Sequence, residues 1–155
     1  MMTLKHIISI ILVCTGLGII GCGGAQKGQE NTTSEPIYQP KQQVDPMQHK
    51  GIGPVQNLEL AALDETMAEE GKTLYEQYCT ACHKATQKYI GPAPKDILNR
   101  RTPEWVMNMI LNPEEMVQKD PIAKKLLVEF NGAPMANQHL TEEQARKILE
   151  YFRTL

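Results

Sequence analysis

Residues 79 to 92 read CTACHKATQKYIGP, with two cysteines three apart and a histidine directly behind the second. Two thiols at this spacing on a turn of helix can add across the two vinyl groups of one haem, and the imidazole that follows then points at the iron. Cys79 and Cys82 are therefore the expected attachment points of a covalently bound haem c, and His83 the expected axial ligand of its iron. Competing readings each lack a part. A structural zinc site requires a second pair of ligands, and His49 and His139 stand alone, without C-x-x-C or H-x-x-x-H spacing. A thioredoxin-like dithiol requires a βαβ context, and no strand pattern is visible. A disulfide between Cys79 and Cys82 leaves His83 without a reason.

The other two cysteines lie at the N-terminus. Lys5 and His6 precede IISIILVCTGLGII, an uncharged run that suits a secretory signal better than a membrane span of about 20 residues. Ile19-Ile20-Gly21-Cys22 resembles the bacterial lipobox, in which the cysteine is lipidated and becomes the new N-terminus. Residues 1–21 are then a signal peptide that carries Cys14 away, and Cys22 is the lipidation site. An ordinary signal peptide or an uncleaved helix are the alternatives. Two or more acyl chains make such anchoring stable. The chain is expected to be exported and lipid-anchored to a membrane, facing the periplasm or extracytoplasmic side.

The elements that position the motif follow a stretch without period. Residues 22–56 are rich in Gln, Gly and Pro and read as a flexible tether, with a reach of roughly 30 Å. A docked piece around GIGPV stays open. Residues 57–155 read as one domain of short helices. Thr66 with Glu69 forms a capping box, and Met67, Gly71, Leu74, Tyr75 and Tyr78 follow at helical spacing up to Cys79. Thr102-Pro103 starts a second helix bearing Trp105, Val106, Met109 and Ile110. Asn112-Pro113 opens a short turn, Asp120-Pro121 opens a helix carrying Ile122, Leu126, Leu127 and Phe130, and Asn131-Gly132 closes it. Thr141 with Gln144 caps a last helix with a stripe of Ala145, Ile148, Leu149 and Phe152. The fold class is all-α, with four to five short helices.

Of the 155 residues 22% are charged and the net charge is −2, too small for a nucleic-acid partner. Trp105, two Phe and five Tyr make a thin core for about 100 residues, so a cofactor is expected to fill the middle.

With residues 66–155 in view, the chain resembles the class I monohaem c-type cytochromes. The resemblance rests on a helix running into C-x-x-C-H, then Gly91-Pro92, a middle helix with a Trp, a Met loop and a last helix. It implies that Gly71 or Tyr75 meets Tyr151 or Phe152 where the first and last helices cross. It implies that the Pro92 carbonyl orients His83, a contact that fixes the tautomer and turns Nε2 to the iron. It implies Met135, in the loop after Pro134, as sixth ligand, with His139 the rival. Arg100, Arg101 or Trp105 would bond the haem propionates.

The implied function is single-electron transfer by a monomeric carrier rather than catalysis, since a His/Met iron has no open position. Haem catalysis, gas sensing with a labile sixth ligand, or a dithiol redox lipoprotein without haem are the alternatives. Lys84, Lys88, Lys95, Arg100 and Arg101 face only Asp96 in that stretch, whereas Asp64, Glu65, Glu69 and Glu70 cluster before the first helix. Such a basic edge could steer an acidic redox partner. RRTPEWVMNMILNP through APMANQHLTEEQARKILEYFRTL is also similar to lipoprotein cytochromes that accompany nitrous oxide reductase. The partners so implied are a quinol-oxidising complex as donor and a periplasmic reductase or terminal oxidase as acceptor.

Overall fold

A computed structural model describes residues 44–155. The expected signal peptide, the lipobox with Cys22 and the first part of the tether lie outside the described residues. Five α-helices follow in order: α1 (Glu65–Tyr78), α2 (Pro103–Leu111), α3 (Pro113–Lys119), α4 (Pro121–Glu129) and α5 (Glu142–Phe152). A single 3-10 turn, Ile97–Asn99, lies between α1 and α2, and no strand occurs among the described residues. The all-α expectation holds.

Proline at the first helical position begins α2, α3 and α4, where its missing N–H leaves nothing unsatisfied. Thr102 caps α2 by accepting from the Trp105 N–H, Asp120 caps α4, and Thr141 and Gln144 form the expected capping box of α5. After α4 the Gly132 N–H donates to the Leu127 carbonyl at 2.8 Å, with Asn131 and Gly132 both at positive φ. That closing turn was legible in Asn-Gly. The start of α1 is a correction. Asp64, not Thr66, is its cap: its carboxylate accepts from the Met67 N–H at 2.9 Å, while its own N–H donates to Glu150 of α5 at 2.9 Å. A contact from the far end of the domain thus fixes where the first helix begins.

The α1·α5 crossing is close enough to exclude a side chain. A Cβ on Gly71 would lie 1.8 Å from the Lys147 carbonyl oxygen. One turn on, the Tyr75 ring packs against Tyr151 at 5.4 Å and edge-on against Phe152 at 5.7 Å. Tyr75 therefore meets Tyr151 and Phe152 as the resemblance implied, while Gly71 meets the backbone of Lys147 and Ile148. Ile148 and Leu149 of α5 are fully buried against α2, each contributing about 1.5–3 kcal/mol. Beside them Glu150, also fully buried, is held by Arg146, Arg153 and the Asp64 N–H.

Residues 44–56, the end of the expected tether, form a strap bound to α2 and α3, and the piece around GIGPV, whose docking the sequence left open, is part of it. Composition was right that the stretch makes no helix or strand; it is silent about partners elsewhere in the chain. Asn108 of α2, fully buried, takes the Val55 N–H on its side-chain oxygen and donates its amide to the Lys50 and Val55 carbonyls. Thr102 donates to the His49 carbonyl at 2.7 Å. Val55 is buried, and Ile52 and Leu58 pack on the core beside it. Irregular backbone can be buried only if its polar groups find such partners.

Candidate functional site

Tyr78 ends α1, and the motif continues from it as one more turn. The Cys79 N–H donates to the Tyr75 carbonyl, and both the Cys82 and His83 N–H groups donate to the Cys79 carbonyl, at 3.1 and 2.9 Å. This winding brings Cys79, Cys82 and His83 to the same cavity wall. Both thiols are free. Before any group is attached, burial first and the neighbouring Cys82 second push the Cys79 thiol up to about 11.

The chain then loops back, with the Gly91 N–H donating to the Cys82 carbonyl at 2.8 Å. The next carbonyl, that of Pro92, accepts from Nδ1 of His83 at 2.8 Å. A carbonyl cannot donate, so the ring proton sits on Nδ1 and the Nε2 lone pair is left for a metal. Gly91 is required for this approach: a Cβ there would lie 2.4 Å from Cε1 of His83 and 2.8 Å from Nδ1.

The cavity has a volume of about 170 Å³ and is open to the surface. Trp105 and Met109 of α2, Val117 of α3 and Leu126 of α4 supply apolar wall. Met135, half-buried, lines the same cavity from the loop before α5; His139 is exposed, at positive φ, and does not line it. Arg100 and Arg101 both reach the cavity. Arg100 is already engaged with the Ala93 and Lys95 carbonyls, whereas Nε of Arg101 is buried with no partner. Burial first, and the nearby Arg100 second, lower the Arg101 guanidinium from its ordinary value. Trp105 forms part of the wall, but its indole N–H is given to Asp120 at 3.2 Å. Arg101 therefore remains as the unpartnered donor at the cavity, with Arg100 beside it.

The residues that line the cavity fit a haem. Two thiols and an imidazole lie on one wall, a thioether lies on the same cavity, and an orphaned guanidinium N–H awaits an anionic group. Among the described residues no three His, Cys, Asp or Glu side chains gather as a zinc site would require.

Comparison with known proteins agrees. A family model described as cytochrome c matches residues 68–155. The chain belongs to the cytochrome c family. No curated protein matches it. Among solved structures it is similar to cytochrome c from Rhodothermus marinus, at 44% identity over 71% of this chain and 96% of that one, with a TM-score of 0.67. An engineered form of that protein, bound to a carbene intermediate, matches at 43% identity over the same shares, with a TM-score of 0.64. Family membership makes the cofactor a covalently attached haem c, with Cys79 and Cys82 in the C-x-x-C-H of this cytochrome. The activity of the family is haem-based electron transfer.

Sequence reasoning missed three polar residues behind the site: Asn108, Asp120 as more than a helix cap, and His49. Of the three only Asn108 carries a sequence signal, as a polar residue between Met107 and Met109 in an otherwise apolar stretch.

Proposed function

We propose that this cytochrome is a membrane-anchored carrier of single electrons, with His83 and Met135 as the axial ligands of one haem c. The observation that carries the reading is the Nδ1 bond of His83 to Pro92, in a cavity that Met135 also lines. When bound, the haem supplies one-electron chemistry at its iron. His83 offers a fixed Nε2, and the hydrogen bond behind it raises its basicity. Met135 offers a soft thioether, which favours the ferrous state and raises the potential. With both positions supplied by the chain, little rearrangement accompanies each electron. Arg101, with its unpartnered Nε, and Arg100 would hold the propionates.

Anchoring would come from Cys22, on the extracytoplasmic side of a membrane. Lys84, stacked on Tyr89 at 5.0 Å, and Lys88, on Phe130 at 4.3 Å, lie close to the motif and suit an acidic redox partner. A quinol-oxidising donor and a periplasmic acceptor, nitrous oxide reductase or a terminal oxidase, fit this chemistry.

Met135→Ala should abolish the weak long-wavelength charge-transfer band of an iron–thioether bond while leaving the haem attached. A band that persists in the variant sinks the ligand assignment. A second reading, ligand binding at an iron freed of Met135, has one observation behind it. Every hydrogen bond found in residues 134–140 is made within that stretch, so side-chain packing alone holds Met135 in place. Rapid binding of carbon monoxide by the reduced native protein would favour that second reading.

A further inference from the structure

Asp120 is a carboxylate with no exposed surface, placed directly behind the haem cavity. One oxygen accepts three bonds: from the Trp105 indole at 3.2 Å, the Ile122 N–H at 3.0 Å and the Ala123 N–H at 2.8 Å. Trp105 and Ala123 are themselves cavity wall. The other oxygen faces the strap and holds Nε2 of His49. The His49 side chain is 25% exposed, so its ring is in contact with water while its partner is not.

We propose that the His49–Asp120 pair is a proton-binding site linked to the redox state of the haem. The proposal rests on the electron-carrier reading above, because it needs an electron entering the cavity. A carboxylate only accepts, so Nε2–H of His49 is the donor and an arriving proton adds at Nδ1, for which no partner occurs among the described residues. When a redox donor delivers one electron, the net charge in front of Trp105 falls by one. One proton from water then adds to Nδ1 of His49, and His49 becomes an imidazolium paired to the Asp120 carboxylate. The proton leaves when the electron is passed on. Opposite changes of charge on the two sides of one indole favour each other, and reciprocal linkage makes the potential depend on proton activity.

The other charged groups on the packed elements leave this pair in control. Arg101, before α2, acts on Asp120 through its charge and is itself cavity wall. From the strap, Lys50 is turned to Glu104 of α2 at 3.4 Å. On α3, Lys119 is turned to Glu115 at 2.8 Å, and on α4 Lys124 is exposed. Of the groups touching Asp120, only His49 belongs to the residue type that changes charge between about pH 5 and 8.

The test is the midpoint potential of the natively matured full chain, titrated across about pH 5 to 8, for wild type and His49→Gln. Glutamine keeps a donor for Asp120 but cannot take up a proton. The wild-type potential should fall as pH rises, and the variant should lose more than half of that slope. A wild-type potential independent of pH, or an equal slope in His49→Gln, overturns the proposal. Should the variant fold poorly, the His49 ring resonance of the wild type decides: its titration must move to higher pH on reduction, and an unmoved titration overturns the linkage. Absence of haem, or of the Met135 charge-transfer band, would instead overturn the electron-carrier reading on which the linkage rests.

Discussion

Glu150 illustrates how one buried side chain can hold two ends of a domain together. Burial alone would raise its carboxyl. The Asp64 N–H, Arg153 and Arg146 together outweigh that and hold it below the ordinary 4.5. A carboxyl depressed in the folded state adds stability that is complete above its unfolded value and is lost as pH falls through the folded one. Glu150→Gln should therefore cost about 2 kcal/mol at neutral pH, with two arginines left facing an uncharged amide. Thermal melting of the variant should also depend less on pH than that of the wild type in the range below 4.5. Equal acid sensitivity of the two proteins would remove Glu150 from the account. Nothing near Glu150 in the sequence announces this role. Cys79, Cys82, His83 and Pro92 were legible because their chemistry is local: the spacing itself carries it. The role of Glu150 depends on Asp64, 86 positions away along the chain, as that of Asn108 depends on Val55.

Among the elements, the α1·α5 crossing is the most demanding contact. Gly71→Ala would gain about 1 kcal/mol in helix propensity. Against that, its methyl would sit 1.8 Å from a backbone oxygen, which no rotamer change can relieve. Overpacking costs typically about 1–3 kcal/mol and more where backbone must move. The helices must separate, and we expect a net loss of about 2 kcal/mol, or about 8 °C or more in melting temperature. A melting temperature equal to or above that of the wild type would show that the crossing has slack. Helix starts at Thr102, Asp120 and Thr141 could be read from sequence because each cap bonds within its own first turn. Thr66 misled because Asp64 is an equally good cap and the tie to Glu150 selects it. Whether the strap docks stayed open in the sequence for a similar reason: its partners are Asn108, Thr102 and Asp120, all more than fifty residues away, as for Val55 and Asn108.

At the scale of the whole molecule, α2, α3, α4 and the loop before α5 share a buried core and also line one cavity. If the 170 Å³ of the cavity were left as void, the loss at about 24 cal/mol per Å³ would be about 4 kcal/mol. That is a large part of the whole stability of an ordinary domain, about 5–15 kcal/mol. A Cys79→Ala, Cys82→Ala protein recovered without haem should lose its cooperative melting transition and much of its helical circular dichroism. A sharp transition with undiminished helicity would mean that the protein core suffices by itself. The thin aromatic content had pointed this way in the sequence, but the size of the space could be known only once the helices were placed.

The pairing of α1 with α5 also sets an order of events during synthesis. The first and last helices of the domain meet across roughly 60 residues of intervening chain, a loop whose closure alone costs about 3–4 kcal/mol in entropy. No earlier helix can substitute for α5, because Gly71 is shaped to its backbone. Closure of the α1·α5 crossing therefore waits for α5, the last of the five helices to be synthesised.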